Sequence, residues 1–191
     1  MPLTPDQFRE KGHGKTAPWV DLVNSEEWDT YGRRTDWLND PSWLPFFLHQ
    51  WRFPASDRSR FPAAKFKALR CALRTSCEAV ARARQVSRRE LRTLNTALNV
   101  AGKRQLIHGQ NGLQVRFVPQ SEGWDAILAQ IALSFANQLA GGDRSRIKIC
   151  QNQDCRWVFY DATKARTRRW CSDKVCGNRE RVRRARARMA R

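Results

Sequence analysis

Six cysteines occur in the 191 residues, and four of them fall near the C-terminus as two close pairs. The pattern is Cys150-x4-Cys155, fifteen residues, then Cys171-x4-Cys176. Two such pairs separated by a loop can assemble a tetrahedral metal site. Each pair turns both sulfurs toward one side of an ion, and the spacer brings the second turn opposite. Four thiolates close the coordination shell and leave no position for water or substrate. The expected cofactor is therefore one structural Zn(2+) per chain, not a catalytic ion. A stretch this short has little core of its own, and metal binding supplies on the order of 10–16 kcal/mol to small zinc domains. Arg156, Arg168, Arg169 and Lys174 lie close in sequence and would favour the thiolate forms. The same cysteines admit two disulfides, an iron–sulfur cluster or a redox-switching disulfide, and disulfides require an oxidising compartment.

A second chemistry follows directly. "WCSDKVCGNRERVRRARAR" (170–188) runs from the second cysteine pair into arginines at nearly every other position. On a helix over 175–190, Val175, Val182 and Met189 line a thin apolar seam with Ala185 beside them. Arg179, Arg183 and Arg186 take a second face, and Arg181, Arg184 and Arg188 a third. The seam is expected to dock the helix on the cysteine module or on the preceding domain, turning the guanidinium groups outward. Their planar forks pair with phosphate oxygens in bidentate fashion. Candidate nucleic-acid contacts are thus Arg168, Arg169, Lys174, Arg179, Arg181, Arg183, Arg184, Arg186 and Arg188. Gly177 is expected to permit a tight exit from the metal knuckle, and Asn178 to cap the helix. A solvated, frayed end is the plain alternative, because closely spaced arginines repel one another without a polyanion. Trp157, Phe159 and Tyr160 either stack on unpaired bases or alternate in a short strand that forms a small core.

The run "RRWCSDKVCGNRERVRR" resembles the CGNR zinc finger, through Cys176-Gly177-Asn178-Arg179. Upstream, "CQNQDCRWVFYDATKARTRRWC" carries the first cysteine pair, an aromatic run with Asp161, and Arg168-Arg169-Trp170 before the third cysteine. "PWVDLVNSEEWDTYGRRTDWL" (18–38) is similar to the opening of the ABATE-type domain found in stress-induced transcription regulators. Together the two similarities cover nearly the whole chain. They imply a bacterial transcription regulator that binds double-stranded DNA through its finger.

The elements that must position these residues read as mainly α with a small β-hairpin, an α+β fold, ending in the four-cysteine module and its basic helix. "AGGDRSR" (140–146) marks a joint between residues 1–143 and 144–191, since paired glycines end a helix and Asp-Arg-Ser favours a turn. Asp40 with Pro41 predicts a helix start before "SWLPFFLHQW". Over 62–84, Phe66, Leu69, Leu73, Cys77 and Val80 form one apolar stripe. Ser87 and Glu90 form a capping box ahead of Leu91, Leu94 and Leu98. "RQLIH" and "LQVRFVP" flank "GQNG" as a hairpin. The helix over 124–140 is apolar on most of its circumference, which places it at the centre of the core.

Charge narrows the function. There are 36 Lys+Arg against 18 Asp+Glu, a net +18, and residues 144–191 hold 16 of the cations and only 4 of the acids. Such an imbalance attracts polyanions. DNA is the expected partner; RNA bound without sequence preference and an acidic protein partner are the alternatives. Operator symmetry suggests a homodimer. The aromatics of "TYGRRTDWLNDPSWLPFF" either line a pocket for a small-molecule effector or pack a core. No apolar run approaches the roughly 20 residues of a membrane span. The N-terminus has no export pattern, so a cytoplasmic, nucleoid-associated protein is expected. "GHGKT" (12–16) lacks the first glycine of a phosphate loop, where Arg9 stands. His13, His49 and His108 have no partner at ligand spacing, and Cys71 and Cys77 read as packing thiols. No nucleophile–base pair is evident, so no enzyme is expected.

Overall fold

The computed structural model describes residues 17–28, 33–54, 61–109, 112–120 and 123–190. "GHGKT" and His13 lie outside them, as do Gln110 and Asn111 at the hairpin turn. Pro18 opens a short helix, α1 (Pro18–Asn24), in which every side chain from Trp19 to Asn24 is buried. Strands β1 (Glu26–Trp28) and β2 (Arg34–Asp36) pair antiparallel. Helix α2 (Trp43–Trp51) begins later than Asp40 and Pro41 predict. The Asp40 carboxylate instead accepts from the Ser42 N–H at 2.8 Å and Oγ at 2.6 Å, closing an Asx turn ahead of the helix. Trp37, Trp43 and Phe47 are buried, so these aromatics of the 30–47 stretch pack the core.

The long helix α3 (Ala63–Ala81) presents Phe66, Leu69, Leu73 and Cys77 inward. In α4 (Arg88–Leu98) Ser87 caps the helix, its Oγ accepting from the Arg89 N–H, and bonds Glu90 side chain to side chain in place of the reciprocal backbone bond of a capping box. Only Leu94 of its three leucines is fully buried. Strands β3 (Gly102–Gly109) and β4 (Gly112–Pro119) make the expected hairpin, in register from Gly102↔Pro119 to Gly109↔Gly112. Helix α5 (Trp124–Gly141) buries Ile127, Leu128, Ile131, Ala132 and Phe135 at the centre of the core. The chain then passes a 3-10 turn (Arg144–Arg146) into β5 (Ile147–Ile149), which pairs antiparallel with β6 (Val158–Tyr160). Fold class is as the sequence indicates: mainly helical with small two-stranded sheets.

The cysteine-bearing segment is not strung on a tether. Its Trp157, Val158, Phe159 and four cysteines belong to the same continuous core as the helices. The buried Asn24 amide bonds both backbone groups of one residue of β6, donating to Val158 O at 2.8 Å and accepting from Val158 N at 2.9 Å. Arg74 on α3 donates to Arg156 O across the joint and to Val23 O and Glu26 O on its own side. The Trp28 ring faces the guanidinium groups of both Arg74 and Arg156, at 5.7 and 5.1 Å. Beneath them Arg70, 4% exposed, forms a bidentate pair with Asp36 at 2.6 and 3.0 Å. Truncating one partner of so buried a pair strands the other charge.

Asp21 is the other acid drawn into this core. Burial pushes its carboxyl up to about 7, opposed by the hydrogen bond it accepts from Trp51 Nε1 at 2.8 Å. Its folded pKa thus exceeds the unfolded value, so folding binds a proton between about pH 4 and 7 and stability falls as pH rises through that window. Asp21→Asn should remove this loss, on the order of a few kcal/mol. Urea unfolding at pH 5 and pH 8 should show the wild type losing stability between them and the variant holding nearly constant.

Candidate metal centre and basic helix

The two cysteine turns are built by backbone hydrogen bonds that any sequence could make and by a few side chains that only this one supplies. In the first, Asn152 Oδ1 accepts from the Asp154 N–H at 3.0 Å while its carbonyl accepts from Cys155 N at 3.0 Å. Cys150 N donates to Trp157 O at 2.8 Å, tying this turn to β6. In the second, Ser172 Oγ accepts from Val175 N at 3.2 Å, and Ser172 O accepts from both Cys176 N and Gly177 N. This turn is one π-helical winding (Asp173–Gly177) that runs without a break into the last helix, α6 (Asn178–Met189).

The turns bring the sulfurs of Cys150, Cys155, Cys171 and Cys176 within 4.8 Å of one another, all four buried. Cys171 Sγ lies 3.6 Å from both Cys155 Sγ and Cys176 Sγ. Sulfurs at about 2.3 Å from a tetrahedral ion stand about 3.8 Å apart, whereas a disulfide requires about 2.05 Å. All four cysteines are free thiols. Donation from the other three thiols holds Cys150 far below the usual thiol range, and the same neighbours drive Cys171 up. Four such sulfurs can hold a metal ion, and their count closes the shell to substrate.

Asp161, fully buried, fastens the loop between the turns. Its carboxylate accepts from Lys148 Nζ at 2.6 Å, from Thr163 N and Oγ1, and from Arg168 N. Burial alone would raise this carboxyl, but these donors hold it well below the usual carboxylate range. Sequence reading noted Asp161 only as part of the resemblance; its four donors are scattered over twenty residues and leave no local pattern.

The candidate contacts divide into two groups. Arg168 is half-buried, donates to the carbonyls of Trp170 and Cys171, and covers the Phe159 ring at 4.8 Å. Its guanidinium Nε and one Nη are thus engaged within the fold. Arg169 is exposed but bonds Gln151 Oε1 at 2.7 Å and lies over Trp170. On α6, Arg181 pairs with Asp173 and Arg183 with Glu180, both arginine side chains about 60% exposed. Arg179, Arg184, Arg186 and Arg188 are exposed with no ion pair among the described residues, and Lys174 is exposed beside the second turn. Trp157 and Phe159 are buried, which places them in the core and not on a stacking platform.

Two expectations about the helix change. Val175 is half-buried against the core, but Val182 is 43% and Met189 89% exposed and Ala185 is exposed, so the apolar seam docks only at its first residue. Glu180, on the opposite side, is the buried residue of α6. Asn178 is already helical, with φ −64°, and its side chain caps nothing. Gly177, with φ −63°, needs no left-handed freedom. What it gives is space: a Cβ there would collide with Asp173 Oδ1 and meet Trp170 Cδ1 at 3.0 Å. Cys71 is exposed and so is not a packing thiol; Cys77 is one.

The CGNR zinc finger family matches residues 146–189. The ABATE family, described as "Putative stress-induced transcription regulator", matches residues 16–142. Neither is an enzyme family. No curated protein matches the chain. Among the described residues no helix is long and apolar enough to cross a membrane.

Cys171→Ser should abolish uptake of one zinc ion per chain in native mass spectrometry. Hydrogen exchange should then show the Asp173–Gly177 turn and α6 losing protection, while β6, held by Asn24 from the helical side, keeps its own.

Proposed function

This chain belongs to the ABATE family and ends in a CGNR zinc finger, and on that premise we propose that it is a DNA-binding transcription regulator. Cys150, Cys155, Cys171 and Cys176 hold one structural Zn(2+), which shapes the finger and takes no part in chemistry. The exposed arginines of α6 neutralise the phosphates of duplex DNA. The single observation that carries this reading is an arginine-rich helix leaving the metal knuckle with its guanidinium groups in solvent, four of them unpaired among the described residues. Positive charges so close together repel one another, and a polyanion relieves that repulsion.

The burial of Trp157 and Phe159 weighs against RNA or single strands, which are held largely by stacking on exposed aromatics. Residues 1–143 serve as the sensing or dimerising body. A cavity of about 380 Å³ between α3, α4 and α5, lined by Leu69, Thr93, Thr96, Ala97 and Leu128, is where a small effector fits. Lys65 and Asp125 at its rim pair with each other at 2.8 Å.

Six exposed arginines on α6 set the expected salt dependence. For a 20-bp duplex, log Kd against log salt should have a slope of about 5 in magnitude, near 0.9 per phosphate neutralised. Arg184→Ala with Arg188→Ala should reduce that slope by about 2. Polyglutamate binding as tightly as DNA at equal salt would instead favour an acidic protein partner.

A further inference from the structure

Three parallel lines of side chains run along α6. Asn178, Val182, Ala185 and Met189 share one line at four- and three-residue spacing. Arg179, Arg183 and Arg186 form a row on one flank, and Arg181, Arg184 and Arg188 a row on the other. Glu180, 5% exposed, lies on the opposite side of the helix and faces the finger. The first line therefore points directly away from the protein.

That line is chemically odd for a solvated face. Val182 is 43% and Met189 89% exposed, and the Asn178 amide has no hydrogen-bond partner among the described residues. An occupant must accept guanidinium groups on both flanks and small apolar groups with one amide between them. A protein groove could take the apolar line but would need acid along both walls. The major groove of duplex DNA supplies both features. It is about 12 Å wide, admits a helix of about 10–12 Å, has phosphates along both walls, and exposes thymine methyls and adenine edges on its floor.

We propose that Asn178, Val182, Ala185 and Met189 are the base-reading edge of this protein and that they favour A·T pairs. The Asn178 amide is matched to adenine N6 and N7, and the methyl groups of Val182 and Ala185 to the thymine 5-methyl. The two arginine rows straddle the groove, one on each backbone, which fixes the helix without itself choosing a sequence. This deepens the DNA-binding reading and rests on it.

The test measures anisotropy with zinc-loaded, full-length protein and three 20-bp duplexes: alternating A·T, the same with deoxyuridine for every thymidine, and alternating G·C. The A·T duplex should bind about tenfold or more tighter than G·C. Deoxyuridine, which lacks only the 5-methyl, should weaken it several-fold. Asn178→Ala and Val182→Ala, both at exposed positions, should each narrow the A·T preference while keeping zinc content, G·C affinity and salt slope. Equal binding to all three duplexes, or a preference for G·C, overturns the reading edge and leaves phosphate binding by the arginines standing. No binding to any duplex overturns both.

Discussion

Four sulfur atoms crowded within 4.8 Å of one another, in a protein with a large cationic excess, can all be thiolates only around a cation. A divalent ion at their centre would offset their mutual repulsion and would lock the two turns together. Everything beyond residue 171 inherits its direction from that cluster. The second turn holds Cys171 and Cys176, and its π-winding continues into α6 with no intervening loop. The basic helix therefore leaves directly from the sulfur cluster, and the buried Glu180 with the Arg183–Gln153 contact seats its first turns.

The rest of the finger draws its stability from elsewhere. A sequence of this length needs metal because it lacks a core, yet here it borrows one. Trp157 and Val158 pack among the helices, and Asn24 bonds both the N–H and the carbonyl of Val158. Arg74 and Arg156 stack on Trp28 from the two sides of the joint. A metal ion held by the four sulfurs would organise the turns and the exit of the last helix, while burial against α1 and α3 holds the base of the module.

What could be read from the sequence was whatever repeats locally. The cysteine spacing located the four sulfurs, the Phe66–Cys77 stripe located α3, and Ser87 with Glu90 marked the start of α4. What could not be read depended on partners far apart in the chain. The periodicity of α6 correctly sorted its side chains into lines but could not say which line faces inward. A thin apolar seam normally does, and here Glu180 does instead. Arg168 looked like its neighbours in sequence, and only the fold shows its guanidinium bound to the Trp170 and Cys171 carbonyls. Asn24 and Asp161 carry no motif of their own, since their partners are 134 and up to 13 residues away.

The Asn24 bridge has a mechanical consequence. With two hydrogen bonds from Asn24 to the backbone of Val158, the base of the finger is tied to α1, so a displacement of α1 would be passed to it. A twelve-residue helix is about 18 Å long. A tilt of about 10° at its root would carry its far tip roughly 3 Å, close to the 3.4 Å step between stacked bases. A shift in the helical body too small to disturb its own packing would then move the tip by nearly one nucleotide, as a lever fixed at its fulcrum does.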